Sequence, residues 1–437
     1  MHYEEALRYL LSLGHETLAL KLGLKTTELL LHELADPQTL YPAVQIAGTN
    51  GKGSTAVVLD SICRTAGIRT GLFTSPHLVN ITERIRVNGD EISREAFAQL
   101  ATTVREAAEK LLKTGALAAP PTFFEQVTAI ALLAFAQSNV GLAILETGLG
   151  GRLDSTTVAR AATIGITPIA LDHQEYLGET LEQIAAEKAA VIRPGVTTVI
   201  ATQTQAALDV ILSRCASISV VPRLSTCEVT DLSRTADGRI QATFKTSQDS
   251  YPGVVLGLRG RHQITNVALA IELAESLRES GFEISREAII NGIERARHPG
   301  RLELLQGPPA ILLDGAHNPA GALALRSYLD EFVTGPITLV FGVMHDKRLA
   351  EMASTLFPRA HCLILTEPDN VRAASVEMLQ EHAKNLTGNR MILIEPSARN
   401  AIRLALERTP PTGTICVTGS LYLIGEIRAA LNLEHVC

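Results

Sequence analysis

The chain reads as an α/β protein of two domains, each built on a mostly parallel open sheet. Three observations predict this. Short apolar runs alternate with helical patterns along nearly the whole length, as parallel βαβ units require. The 437 residues are enough for two domains that each bury a core of their own. The run His298-Pro299-Gly300 interrupts the pattern, and the alternation restarts at Ala310. We therefore expect one domain over 1–296 and a smaller one over 300–437.

In the first domain, Ala43–Ala47 is expected as a strand, Gly51–Ala66 as a helix and Gly71–Thr74 as a strand. Thr122 and Glu125 form a T-x-x-E capping box that opens a helix to Gln137. Strands at Leu142–Glu146 and Thr163–Thr167 follow. A T-x-x-Q box at Thr180 and Gln183 then opens a helix through Val191. Two β-type runs flank Asp237-Gly238, a hairpin turn, and should add an antiparallel edge to the parallel sheet. Helices over Gln263–Glu279 and Ser285–Ala296 lead to the break. In the second domain, strands are expected near 310–314, 337–341, 361–365, 391–395 and 414–418 with helices between them. Ligands of such sheets bind beyond the carboxyl ends of strands, so residues just after strands carry the functional weight.

Composition narrows the function. Hydrophobic residues are 46% and charged residues 19%, which excludes a disordered, highly charged chain. Lys and Arg total 39 against 46 Asp and Glu, a net charge of −7, with a pI near 6.0. That balance lacks the basic footprint of a nucleic-acid binder. Cysteines stand at 63, 215, 227, 362, 416 and 437 with no CxxC pair, and are expected as buried thiols of a cytoplasmic protein. The charge-free window Gln126–Leu145 is broken by Gln137-Ser-Asn139, so no membrane span is expected. Met1–Leu10 holds Glu4, Glu5 and Arg8 in an amphipathic pattern and lacks the order of a signal peptide.

The segment Ala43-Val-Gln-Ile-Ala-Gly48-Thr49-Asn50-Gly51-Lys52-Gly53-Ser54 is a strand, a glycine-rich turn and a helix start. Glycines let the backbone curl so that its N–H groups converge, the helix N-terminus adds positive potential, and Lys52 supplies a full charge for phosphates. A nucleoside triphosphate is the expected ligand. The loop departs from G-x-x-x-x-G-K-[ST], since Ile46 lies where the first glycine belongs and Gly53 follows the lysine.

This loop resembles the G-T-N-G-K-G-S phosphate loop of the Mur ligase superfamily of ATP-dependent amide ligases, and within it the folylpolyglutamate synthase/dihydrofolate synthase family. The resemblance continues through Thr74-Ser-Pro-His77-Leu78, Glu146-Thr-Gly-Leu-Gly-Gly-Arg-Leu-Asp154, Leu171-Asp-His173, Glu187-Lys188-Ala189, Gly260-Arg-His262-Gln263, Pro299-Gly-Arg301-Leu-Glu, Leu313-Asp314-Gly-Ala-His317-Asn318-Pro319 and Gly419-Ser-Leu-Tyr422-Leu. It runs in order through both domains. It implies a P-loop-type central Mur ligase domain followed by a smaller Rossmann-like domain.

Glu146 ends an apolar strand beside Gly148, Gly150 and Gly151, a placement that suits Mg²⁺, which takes a few protein oxygens and keeps waters and phosphate oxygens. The resemblance implies Ser75, Glu146 and His173 as magnesium ligands for two Mg²⁺ ions. Lys188 lies in the apolar helical stretch Ile184–Ile192, where a free ammonium is costly to bury. In the resembling family the matching lysine is carbamylated and helps hold a metal. Ala190 stands where that family usually has Gly.

In the second domain, Asp314 ends a strand and leads through Gly315-Ala316-His317-Asn318-Pro319 into a helix. The resemblance assigns Arg301 to nucleotide phosphates, Asp314 to the nucleotide, and His317 to the catalytic face where the domains meet; Asn266, three after Gln263, is expected as a nucleotide contact near the hinge. The family's frequent Trp before Pro-Gly-Arg is His298 here, and its usual L-D-A-T-N reads Leu153-Asp-Ser-Thr-Thr157.

The implied reaction starts by moving the γ-phosphoryl of ATP onto a carboxylate. An amine then attacks the acyl phosphate. Charge neutralisation by Lys52, Arg301 and Mg²⁺ is the main requirement of the first step. The acid is expected to be dihydropteroate, a folyl glutamate or both, the amine L-glutamate, and the enzyme a monomer. Two other readings stay open at this stage: a Mur-type ligase acting on a UDP-linked acid, and a non-catalytic ATP-binding switch.

Overall fold

In the computed structural model the described residues are 1–14, 23–384, 386 and 390–432. Eight strands form the first sheet: β1 (Ala43–Ala47), β2 (Thr70–Phe73), β3 (Ile85–Val87), β4 (Asp90–Glu91), β5 (Leu142–Glu146), β6 (Thr163–Ile166), β7 (Thr197–Ile200) and β8 (Arg223–Leu224). Their order is β4-β3-β2-β5-β1-β6-β7-β8, parallel except at the β3 and β4 edge. β1 is buried along its whole length, with Ala43 and Ala47 packing into the core on one face and Val44 and Ile46 into the core on the other. This two-sided burial is why such strands read as unbroken apolar runs.

Both capping boxes form. Thr122 and Glu125 cap the helix Phe123–Gln137, and Thr180 and Gln183 cap Leu181–Ala189. One expectation fails. The hairpin at Asp237-Gly238 does not edge the parallel sheet; β9 (Glu228–Arg234), β10 (Ile240–Lys245) and β11 (Ser250–Val255) form a separate three-stranded antiparallel sheet. The reason lies in its pattern. Ile240, Ala242 and Phe244 are buried while Gln241 and Thr243 are half-buried, so this sheet has one core face and lies on the helices Gln263–Glu279 and Arg286–Arg295. The antiparallel edge of the large sheet comes instead from β3 and β4, joined through Asn88-Gly89, both with positive φ. Asn-Gly between short apolar runs is a hairpin signal in the sequence itself.

The second sheet contains β12 (Glu303–Leu305), β13 (Ala310–Asp314), β14 (Ile337–Phe341), β15 (Cys362–Glu367), β16 (Met391–Ser397) and β17 (Thr414–Thr418), in the order β12-β13-β17-β14-β15-β16. Five of these match the expected strands, and β12 is an added antiparallel edge. The first domain's last helix ends at Arg295 and β12 begins at Glu303. Cys63, Cys215 and Cys416 are buried as expected, whereas Cys227 and Cys362 are only partly so; Cys437 lies outside the described residues. No helix of the described residues is long and apolar enough to cross a membrane.

Candidate active site

Strand register collects the functional segments at one edge of the large sheet. Ile46 pairs with Glu146, Phe73 with Leu145 and Ala47 with Ile166. The glycine-rich turn, Ser75, Glu146 and the loop carrying His173 therefore leave the sheet side by side. They line a cleft of about 340 Å³, whose opposite wall is Arg301 and the loop Asp314–Asn318 from the second domain. Of the candidate phosphate-binding, nucleotide, metal and catalytic residues, all but Gly48 line this cleft.

The phosphate loop is held by backbone and by its neighbours. The Thr49 and Asn50 N–H groups donate to the Pro168 carbonyl at 3.1 and 3.2 Å. Gly51 has φ +89°, and the Asn266 carboxamide occupies the space its Cβ would need. A Cβ on Gly53 would lie 2.9 Å from His298 Cε1 and 3.1 Å from Glu146 Oε2. Lys52, the first residue of its helix, donates from Nζ to the Thr49 carbonyl at 3.1 Å. Asn266 Nδ2 donates to Gln263 Oε1 (2.8 Å), and Gln263 Nε2 to Ser54 Oγ (3.4 Å).

Glu146 Oε2 accepts the Ser75 N–H at 3.1 Å. Burial raises the Glu146 pKa, opposed chiefly by the charge of Lys52. His173 sits in the left-handed region at φ 51°; burial pushes its pKa down to about 3, against the pull of Asp172. Lys188 is 4% exposed, and burial, then the Lys52 charge, lower its pKa to about 7. Among the described residues no three His, Cys, Asp or Glu side chains are grouped to hold a metal unaided. The donor set still suits a hard cation that shares its coordination with phosphate oxygens and water, because Glu146 and Ser75 offer oxygen beside the phosphate loop.

Across the cleft, Asp314 is buried and accepts the Leu302 N–H (2.9 Å) on one oxygen and the Ala316 N–H (3.0 Å) on the other. The carboxylate thus ties the Arg301 segment to the His317 loop, and each oxygen keeps a lone pair for a ligand hydroxyl. Arg301 donates to the Gly315 carbonyl at 3.3 Å. His317 Nδ1 lies 2.8 Å from that same carbonyl, which makes Nδ1 the protonated nitrogen and leaves Nε2 facing Asp172 at 3.4 Å.

Sequence reasoning passed over Asp172, Asn318, Lys347 and the packing of His298. Asp172 accepts Lys347 Nζ at 2.9 Å and Asn318 Nδ2 at 3.1 Å. Burial would raise its pKa, but His317, His173 and Lys347 hold it well below the usual value. Asp172 stands in Leu171-Asp-His173, just beyond β6, so an acid beside a strand tip was an available signal. Lys347 gave none, since only folding brings the loop after β14 to the first domain. His298 packs on Gly53, its Nδ1 lies 3.4 Å from Ser54 Oγ, and burial followed by Arg301 lowers its pKa to about 3.

Residues 46–274 match the Mur ligase middle domain, and residues 300–421 match the Mur ligase glutamate ligase domain. Dihydrofolate synthase/folylpolyglutamate synthase from Bacillus subtilis is 36% identical over 425 residues, covering 96% of this chain and 97% of that one. The chain belongs to the folylpolyglutamate synthase/dihydrofolate synthase family of Mur ligases. It spans about half the length of another family relative, the probable bifunctional folylpolyglutamate synthase/dihydropteroate synthase of Haloferax volcanii, which is 35% identical over 433 residues covering 98% of this chain and 50% of that one. Folylpolyglutamate synthase from Mycobacterium tuberculosis complexed with ADP superposes with a TM-score of 0.91 at 29% identity, covering 98% of this chain and 97% of that one. The Yersinia pestis bifunctional family enzyme complexed with AMPPNP and Mn ion gives 0.84 at 28% identity, covering 99% and 98%.

Proposed function

We propose that the chain is an ATP-dependent ligase that joins L-glutamate to a folate-type carboxylate through an acyl phosphate. One observation carries this reading: a phosphate loop and a second-domain arginine, histidine and aspartate face each other across a single cleft. The comparisons support it, because relatives of matching length carry folate-ligase names and their structures hold adenine nucleotides. The same reading divides the chain into an ATP-binding domain, 1–296, and a ligase domain, 300–437, acting as a cytoplasmic monomer without nucleic-acid or membrane partners.

In this reading Gly48–Ser54 cradle the phosphates, with Lys52 and Arg301 meeting the charge that spreads over the transferred phosphoryl group. Asn266 and Asp314 contact the nucleotide. Ser75, Glu146, His173 and a carbamylated Lys188 would hold Mg²⁺, two ions in this reading. When bound, these ions neutralise phosphate charge and align the reacting oxygens. Lys188 is prepared for carbamylation, since a lysine with a pKa near 7 presents free amine to CO₂ at neutral pH. His317 faces the reacting carbonyl from the second domain. The acid enters along the first-domain wall of an adjoining chamber of about 190 Å³, where Thr122, Phe124, Leu149 and Leu153 line it.

Both dihydropteroate and folyl glutamates are proposed as acids. The test is phosphate release from ATP with dihydropteroate or tetrahydrofolate, each with and without L-glutamate. Release that needs both acid and amine supports ligation; release indifferent to both overturns it.

A further inference from the structure

The adjoining chamber contains a guanidinium that the preceding account leaves without a role. Arg372 lies in the loop after β15, and its backbone is pinned: its carbonyl accepts the His345 N–H at 2.8 Å, its N–H donates to Asn370 Oδ1 at 3.0 Å, and Met344 bridges Ala373. The side chain is 16% exposed. Yet among the described residues its guanidinium donates no hydrogen bond. Its Nε is buried without a partner, and its ionic neighbour is Asp346, 3.9 Å from one terminal nitrogen. A guanidinium has five donors, and leaving them unused in a confined site is costly unless a ligand takes them. The ligand that matches the planar fork is a carboxylate.

Position decides which carboxylate. Arg372 and Lys347 line the chamber and not the nucleotide cleft, whereas His173, His317, Ser75 and Leu421 line both. Lys347 is already committed to Asp172 at 2.9 Å and lies 3.7 Å from Asp346. Arg372 is thus the chamber cation with open valences. An amino acid attacking an acyl phosphate must place its α-amine at the cleft. Its α-carboxylate is bonded to the carbon that bears the amine and stays near the cleft, while a side-chain carboxylate extends away from it.

We infer that Arg372 binds the side-chain carboxylate of the incoming amino acid and so selects a dicarboxylic substrate. This rests on the ligase reading above. Arg372 is a specificity-determining residue here and takes no part in bond making. The backbone pinning means that the side chain can be replaced without freeing the loop.

The test compares L-glutamate with L-glutamine, its neutral isostere, in the full-length enzyme and in Arg372→Gln and Arg372→Lys. Arg372→Gln should raise the KM for glutamate at least tenfold, leave the KM for ATP within about twofold, and erase the preference for glutamate over glutamine. Arg372→Lys should fall between, because lysine keeps the charge and loses the fork. A folded Arg372→Gln enzyme with an unchanged KM for glutamate overturns the inference. So does a loss shared equally by glutamine, which would place the contact on the α-carboxylate, or an equal loss for ATP, which would make the residue structural. A parent enzyme that consumes no glutamate with ATP and either dihydropteroate or tetrahydrofolate overturns the ligase reading itself.

Discussion

Asn318 of the second domain donates from Nδ2 to Asn50 of the phosphate loop at 3.0 Å, and the same nitrogen lies 3.1 Å from Asp172 Oδ2. One amide thereby joins the nucleotide loop, the loop after β6 and the start of the helix Pro319–Phe332, whose first turn Asn318 also caps. The contact makes the relative placement of the two domains depend on side chains at the cleft itself.

The first prediction concerns this junction. Asn318→Ala and Asp172→Ala should loosen the domain arrangement, and each should lower ligation by about tenfold or more, a loss typical of misplaced reacting groups. Small-angle scattering should show a larger radius of gyration than the parent. A variant with parental dimensions and turnover would show that the rest of the interface suffices.

A second prediction tests the phosphate loop. Lys52→Ala should leave the fold intact, since Lys52 borders the cleft, and should reduce ATP-dependent ligation by more than about two decades, as expected for a lost transition-state charge contact. Circular dichroism establishes folding, and a folded variant that turns over normally would refute the assignment.

Lys188 supplies the third. Its side chain is buried, and no hydrogen bond or ion pair engages it among the described residues. Lys188→Ala should lose most activity and regain part of it with short-chain carboxylates that replace the anion. Carbon-13 spectra of the parent equilibrated with labelled CO₂ should show a carbamate signal that the variant lacks. A parent spectrum without that signal under turnover conditions would rule the modification out.

The fourth uses Gly53. Alanine there would bring its Cβ within 2.9 Å of His298 Cε1 and 3.1 Å of Glu146 Oε2. Gly53→Ala should therefore weaken Mg²⁺–ADP binding measured by calorimetry, and Gly53→Ala combined with His298→Ala should recover part of it. Equal affinity in the parent and both variants would mean that the loop shifts freely.

Much of the site was legible in the sequence because strand tips and helix starts carry local signals. Gly48 to Ser54, Ser75, Glu146 and Asp314 each follow or end a strand, and period and capping place such residues without reference to partners. The hairpin at Asp237-Gly238 shows the limit of that reasoning. Its turn was correct, but sheet membership depends on which strand edge is available, and a one-sided apolar pattern packed better on two helices than beside a fully buried parallel strand.

Alone, the sequence determined the α/β class, the two capping boxes, the phosphate loop and the family resemblance, since these depend on near neighbours and on motif spacing. Only the tertiary structure decided that Lys347 reaches Asp172, that Asn318 reaches Asn50, and that Arg372 faces a chamber with its donors unspent. Those facts join residues 175 and 268 positions apart in the first domain and the second, or turn on burial and partner count. Local periodicity contains neither, because both arise only when segments distant in sequence are packed against one another.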